Sequence, residues 1–315
     1  MKNWINWLLM AGLMSSTNQK LPDQQPSLTL IEAKLLEDFP SGSSIEYTSG
    51  KLYLFGDDAT EYRVLDTAYN KLSAIQLFTS KTKRIEKSKK TDIESSTVLP
   101  NKSLLMLGSG STALRNKLLI SNATGDPAKR TIVHTKTFNA RVRKRGIKET
   151  NYEGLTALKG GLVISNRGNL AQPVNHLVFT SNDFWKNQSR VSFHIAAVQL
   201  PRNTKAFAGI SGLAIDHNDR LFFTASTEAT TNAYDDGEIG DSYIGWINDI
   251  STKTSAGSIT PNGWLKLSDH DSAFKDQKIE GVCIQEGNGA TMLLHLVADN
   301  DKGNTRLFKV KLIIP

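Results

Sequence analysis

The sequence predicts an all-β protein: a single β-propeller of five four-stranded blades, its ring closed by an N-terminal strand. Three observations lead there. A short word recurs along the chain, made of an acidic or small residue, an apolar run, a glycine turn, a second apolar run and a polar tip, clearest in Tyr152–Gly168. Its entry position falls at Glu46, Glu94, Glu153, Ser211 and Glu280, at intervals of 48 to 69 residues, the spacing of propeller blades of ~40–50 residues or a little more. Finally, only 35 residues of the 315 follow Glu280, room for about three strands. Leu28–Leu36, ahead of the first repeat, reads as a strand without a blade. Pairing it with the C-terminal blade completes the count and leaves no free sheet edge. A six-bladed ring is the alternative, with a degenerate blade hidden in the 69-residue interval.

Taken in order, Met1–Met14 carries one early cation, Lys2, and then a mostly apolar run of signal-peptide length, too short to span a bilayer. An amphipathic helix lying on the domain is the other reading. Asn18–Pro26 reads as a polar linker. The organisation is thus 1–26 leader or helix plus linker, and 27–315 propeller. The expected location is periplasmic or secreted, or cytoplasmic if the leader is a helix. The expected assembly is a monomer with no membrane-spanning segment in the mature chain.

Within each repeat, runs of four to six apolar residues are bounded by Gly, Asn, Asp and Ser, which is strand-and-turn chemistry. The first unit has four: Ile45–Tyr47, Lys51–Phe55, Glu61–Leu65 and Ala74–Leu77. One blade cannot bury both faces, so blades must stack. A single cysteine, Cys283, excludes an internal disulfide and reads as a buried small hydrophobe.

The net charge of +7 is clustered in Lys81–Lys90 and Arg141–Lys148, with Arg202 and Lys205, and Lys275 and Lys278, at the same place before later repeats. Connections into innermost strands cross one face of the disc, so these cations are expected around one mouth of the channel as an anion-attracting rim. Solvated loops are the plainer reading. Nucleic acid is not expected, because no aromatic residues interleave with the basic runs.

First strands line the axis, so Glu46, Glu94, Glu153 and Glu280 are expected to converge, with Ser211 at the fifth position. Converging carboxylates raise their pKa values or recruit a cation. Oxygen ligands without His or Cys favour calcium or magnesium. The competing role is a clasp to backbone amides of the next blade. A second polar layer follows at strand ends: Asp57, Asp58, Ser109, Ser111, Arg115, Asn166, Arg167, Glu228 and Asp299. Turn chemistry alone explains such residues, and a ligand-contacting rim is the functional reading. Asp235–Asp241 and Asp299–Asn304 do not fit an EF-hand loop, and no zinc-protease, nucleophile-elbow, P-loop or dinucleotide motif occurs.

The Ile-Glu-Gly and Tyr-Glu-Gly entries, the Gly56-Asp57-Asp58 tip and the Gly-Ser-Gly-Ser-Thr-x-x-Arg run of Gly108–Arg115 resemble bacterial propellers of the phytase-like and SdiA-regulated type. The resemblance covers about Leu28 to Ile314. It implies an acidic, often calcium-associated channel and, in true phytases, a phosphate-ester substrate. Ser211 departs from the acidic position, and no full phytase ligand set can be matched. Two functions follow as expectations. One is an exported propeller with a calcium-binding acidic channel and a basic rim that binds a small anionic ligand or a protein partner. The other is a calcium-dependent phosphoesterase.

Overall fold

A computed structural model describes residues 25–123, 129–201, 206–235, 237–299 and 303–314. The expected leader at 1–24, and Arg202 and Lys205 of the basic rim, lie outside these residues.

Alternating apolar runs with glycine and aspartate turns give 21 strands among the described residues. The N-terminal strand β1 spans Ser27–Leu36. Blade 1 is β2 (Gly42–Thr48), β3 (Lys51–Gly56), β4 (Glu61–Leu65) and β5 (Lys71–Gln76). Blade 2 is β6 (Ile93–Val98), β7 (Ser103–Gly108), β8 (Lys117–Asn122) and β9 (Thr131–His134). Helix α1 (Lys136–Lys144) leads into blade 3, β10 (Tyr152–Leu158), β11 (Gly161–Asn166), β12 (Asn175–Thr180) and β13 (Phe193–Val198). Blade 4 begins with β14 (Ala208–Ile215), β15 (Leu221–Glu228) and β16 (Ile239–Ile247); after the short β17 (Ser258–Ile259), β18 (Gly263–Lys266) completes it. Blade 5 is β19 (Lys278–Asn288), β20 (Thr291–Asp299) and β21 (Thr305–Ile313), with β1 on its outer edge, antiparallel to β21 from Ser27↔Ile313 to Leu36↔Thr305. The innermost strands β2, β6, β10, β14 and β19 neighbour one another in a five-membered ring.

Among the described residues the long fourth interval holds no sixth blade. Its surplus residues form 3-10 turns and β17, which pairs parallel with β13 on the outer edge of blade 3. Helix α1 was not signalled by the blade pattern. Its apolar pair Phe138 and Val142, one turn apart, is fully buried. Phe138 packs on Phe184 and Phe193, with ring centroids 4.5 and 5.4 Å apart. The basic Arg141, Arg143 and Lys144 occupy its last turn, where the helix dipole favours cations. No helix among the described residues is long and apolar enough to cross a membrane.

Apolar residues form five clusters, one in each interface between blades. Ile45, Leu52 and Leu54 of blade 1 meet Cys283, Val297 and Leu307 of blade 5; Tyr53 and Tyr62 on the other face of blade 1 meet Ile93 and Leu104 of blade 2. The remaining clusters join blades 2 and 3, 3 and 4, and 4 and 5. Cys283 is buried, as expected. Its cross-strand partner is His295, whose Nδ1 lies 2.7 Å from the Tyr69 hydroxyl and whose Nε2 lies 2.8 Å from Gln285 Oε1. Burial, and then the nearby Lys309 ammonium, push the imidazole down to about 4. The folded protein therefore binds this proton less readily than the unfolded chain. The contribution is present above the ordinary histidine pKa and lost as pH falls from about 6.5 toward 4, a change of about 3 kcal/mol. Urea unfolding of His295→Gln should lack that part of the pH slope seen in the wild type; an unchanged slope would exclude His295 as its source.

Candidate functional site

Every innermost strand carries a β-bulge against its neighbour, close to its N-terminal end. Near that end the register skips one residue in each pair: Ser43, Glu94, Glu153, Ser211 and Glu280. A bulge re-aims its extra side chain out of the regular alternation. These five residues are therefore the true repeat position, and Ser43 takes the place in blade 1 that the sequence pattern gives to Glu46. Ile45-Glu46 mimics the Ile-Glu pairs of blades 2 and 5, but it lies three residues further along its strand, past the bulge.

Glu94, Glu153 and Glu280, with Ser43, line one cavity at the bulged end of the channel, about 80 Å³ in volume. Residues two positions earlier on the strands join them: Ser41, Asp92, Asn151 and Lys278. Blade 4 has Gly209 there, and the Arg167 side chain from blade 3 fills the space: a Cβ on Gly209 would fall 2.5 Å from Arg167 Cγ. From the ends of the second strands come Asp57, Arg167, Glu228 and Asp299. Tyr234, on the connection after β15, lies over the mouth with Lys87 Nζ 5.2 Å and the Arg115 guanidinium carbon 5.0 Å from its ring centre.

The chamber divides into two charged clusters. Beside blades 1 and 2, Asp57, Asp92 and Glu94 offer oxygen atoms that all lie within 4.8 Å of one another. Lys90 pairs with Asp57 and with Asp92 (2.7 Å), and Arg115 pairs with Asp92 at 2.8 Å. Ser109 donates to Asp92, and Arg115 to Ser111 at 3.1 Å. Beside blades 3 to 5, the buried Arg167 reaches Glu228 at 2.9 Å, Glu153 at 3.6 Å and Glu280 at 3.8 Å, and Lys278 reaches Glu280 at 2.9 Å and Glu228 at 3.4 Å. Each cluster sets three carboxylates against two cations, so each holds one acid in excess.

The proton affinities are set first by burial and then by the neighbouring charges. Burial pushes Glu94 well above the carboxylate range, and neighbouring Asp92 and Glu153 add to it. Asp57 rises to about 6, mainly through burial, against the pull of Lys90. Burial and the Glu280 charge bring Glu153 to about 7, although Arg167 opposes them. For Glu228 burial acts upward, but Arg167 and Lys278 together hold it below its ordinary value. Burial likewise opposes the charge on Arg167, and Glu153, Glu228 and Glu280 outweigh it, raising its pKa.

Among the described residues no backbone amide donates to Glu94, Glu153 or Glu280, whereas Glu228 accepts from the Gly237 amide at 3.0 Å. Serines clasp the blades instead: Ser43 donates to the Ile93 carbonyl of blade 2 and Ser211 to the Ile279 carbonyl of blade 5, each at 2.5 Å. Where the bulge residue is serine it ties two blades, and where it is glutamate it faces the chamber. Glu153 accepts from Asn151 Nδ2 at 2.7 Å.

The other expected residues divide. Asp57, Arg115, Arg167, Glu228 and Asp299 line the chamber. Asp58 lies in the adjoining cleft, paired with Arg84 at 2.7 Å. Asn166 serves the backbone, accepting from the Asn151 amide at 2.8 Å. Ser109 and Ser111 stand behind Asp92 and Arg115. Glu46 does not join the chamber and lines a separate cavity. Of the basic runs, Lys87, Lys90 and Lys278 reach the chamber, whereas Arg141 and Arg143 bond to Gln188 O and Thr150 Oγ1 around α1. Of the residues two positions before the bulge, Lys278 was expected in the basic rim, and Ser41, Asp92 and Asn151 were missed; the two-residue alternation along each inner strand picks them out.

The structure is similar to the crystal structure of Myxococcus xanthus glutaminyl cyclase, with 14% identity, a TM-score of 0.55 and coverage of 92% of this chain and 98% of that one. It is also similar to a DUF4221 family member from Bacteroides vulgatus, with 11% identity, a TM-score of 0.44 and coverage of 93% and 100%. Identities this low speak to fold alone. No curated protein matches the sequence. A family model described as "Family of unknown function (DUF6929)" matches residues 38–312.

Proposed function

The chain belongs to the DUF6929 family, described as one of unknown function, and from the chamber itself we propose a binding propeller that holds a divalent cation, calcium, and through it a small anionic ligand. The observation that carries this reading is the Asp57, Asp92 and Glu94 cluster, with ligand atoms within 4.8 Å of one another and the Asp57 Oδ1 atom buried without a hydrogen-bond partner. Its donor set is all carboxylate, which suits a hard cation. Calcium would satisfy Asp57 Oδ1 and offset the acid in excess. Its remaining coordination positions would face the chamber, where Lys87 and Arg115 favour an anion. Export belongs to the same reading and rests on the apolar run of Met1–Met14.

A phosphoesterase is the second reading, and Glu153 favours it. A carboxyl near 7 beside a cation site is suited to general acid–base work, with the metal lowering the pKa of a bound water. Turnover of p-nitrophenyl phosphate that depends on calcium and is abolished by chelator would select this reading over simple binding.

Melting curves test the cation. A native-state ligand at a hundredfold excess over its dissociation constant raises stability by about 2.7 kcal/mol. Calcium should therefore raise the melting temperature of the wild type, and the rise should survive moderate salt, unlike weak surface screening. Glu94→Gln should blunt it. No calcium-dependent shift in the wild type would remove the site and most of the case for hydrolysis.

A further inference from the structure

Past the bulge, the residue at the next position of each inner strand is Ser44, Ser95, Gly154, Gly212 or Gly281. The inner strands crowd there: a Cβ on Gly212 would lie 2.7 Å from Gly281 Cα, and one on Gly281 would lie 3.2 Å from Ser44 Cα. This waist separates the acidic chamber from a second cavity, and the two share no lining residue. Two residues beyond the waist, the alternation turns another ring toward the axis: Glu46, Thr97, Thr156, Ala214 and Cys283. All five line the second cavity, at the hairpin end of the blades, about 430 Å³ in volume. That is a small-ligand size, pockets running ~300–1,000 Å³.

Glu46 is the one acid in this lining, and no described residue forms a hydrogen bond or ion pair with it. Glu46 is half-buried, its side chain opening into the cavity, and burial raises its pKa well above the ordinary value. Around it stand the Thr97 and Thr156 hydroxyls and the apolar Ala214 and Ile284. Its charged neighbours in the lining, Lys102 and Lys159, are exposed at the hairpin turns. A single carboxylate does not make a calcium or magnesium site, which needs several oxygen ligands, and it repels anions. We propose that this hairpin-end chamber binds a primary ammonium on a short aliphatic chain. Glu46 would take the charge, Thr97 and Thr156 would accept N–H bonds, and Ala214 and Ile284 would cover the chain. Binding would hold Glu46 ionised, since a nearby cation favours the charged carboxylate. The proposal is independent of the calcium site.

Calorimetric titration of the full chain with n-butylammonium tests it, with n-butanol and butyrate as neutral and anionic counterparts. Expected are saturable binding of the amine only, at least tenfold weaker binding in Glu46→Gln, and the same affinity in calcium and in chelator. Ala214→Met, which adds bulk to the chamber wall from blade 4, should weaken binding too and serves if Glu46→Gln does not fold. Absence of saturable binding, equal binding of butanol, or retention in both variants would overturn the proposal. Competition by calcium would also overturn it, by placing the amine in the acidic chamber.

Discussion

Arg167→Met should destabilise the protein by about 3–5 kcal/mol, because it removes one partner from a buried ionic network and leaves charge uncompensated. Arg167 is 6% exposed and stands among Glu153, Glu228 and Glu280. Lys278 reaches two of these acids but not Glu153. Methionine keeps most of the packing volume of the stem over Gly209, so the loss would report charge. Arg167→Lys should fall between, since one ammonium cannot span three carboxylates as the guanidinium fork does. The pH dependence has a definite sign. Arg167 depresses Glu228 in the folded state, so its contribution is present above the ordinary glutamate pKa and lost as pH falls below it. The deficit of Arg167→Met in urea unfolding should therefore be large at pH 7 and shrink below pH ~4.5. A variant within 1 kcal/mol of wild type at pH 7 would mean that the cluster is not held together by this guanidinium.

Deleting the chain through Leu36 should have an effect at least as large. β1 pairs along its length with β21. Its two buried leucines serve different interfaces, Leu28 in the cluster between blades 4 and 5 and Leu36 in the cluster between blades 5 and 1. Each fully buried leucine contributes about 1.5–3 kcal/mol, and removing β1 also leaves β21 as an unpaired edge open to association. The truncated protein should fail to unfold cooperatively or should aggregate. A truncation ending at Gln25 should behave as the full chain. Equal melting curves for both truncations would show that β1 does not hold the last blade in place.

How far the sequence reached depends on what each signal encodes. The five blade starts were legible because apolar alternation and glycine turns report strands directly, and each observed inner strand contains its expected entry residue. The surplus of the fourth unit was visible as length, but its use as β17 was not, because a two-residue parallel contact leaves no pattern. Helix α1 was hidden by charge: its second half belongs to the basic run Arg141–Lys148, and only the Phe138 and Val142 spacing marks the helix. The acidic convergence was legible for Glu94, Glu153 and Glu280. It misplaced Glu46 by level, not by facing: Glu46 also turns toward the axis, but three residues beyond the bulge at Ser43, in the second cavity. Asp92 escaped because it precedes its strand and reads as turn chemistry. It sits at φ +61°, in the left-handed region that Asp tolerates better than most residues. Which cations meet which acids is a matter of tertiary approach, as with Arg167 crossing from blade 3 to lie over Gly209 of blade 4.

The central claim is that Asp57, Asp92 and Glu94 form a calcium site, and a crystal structure of the full chain grown in calcium tests it most directly. The expected result is a calcium ion with oxygens of all three carboxylates at ~2.3–2.6 Å, Asp57 Oδ1 among them, and with the Lys90 ammonium moved off the cluster. A chamber in which Lys90 still bridges Asp57 and Asp92 and no ion lies between these carboxylates, at calcium concentrations well above millimolar, would contradict it.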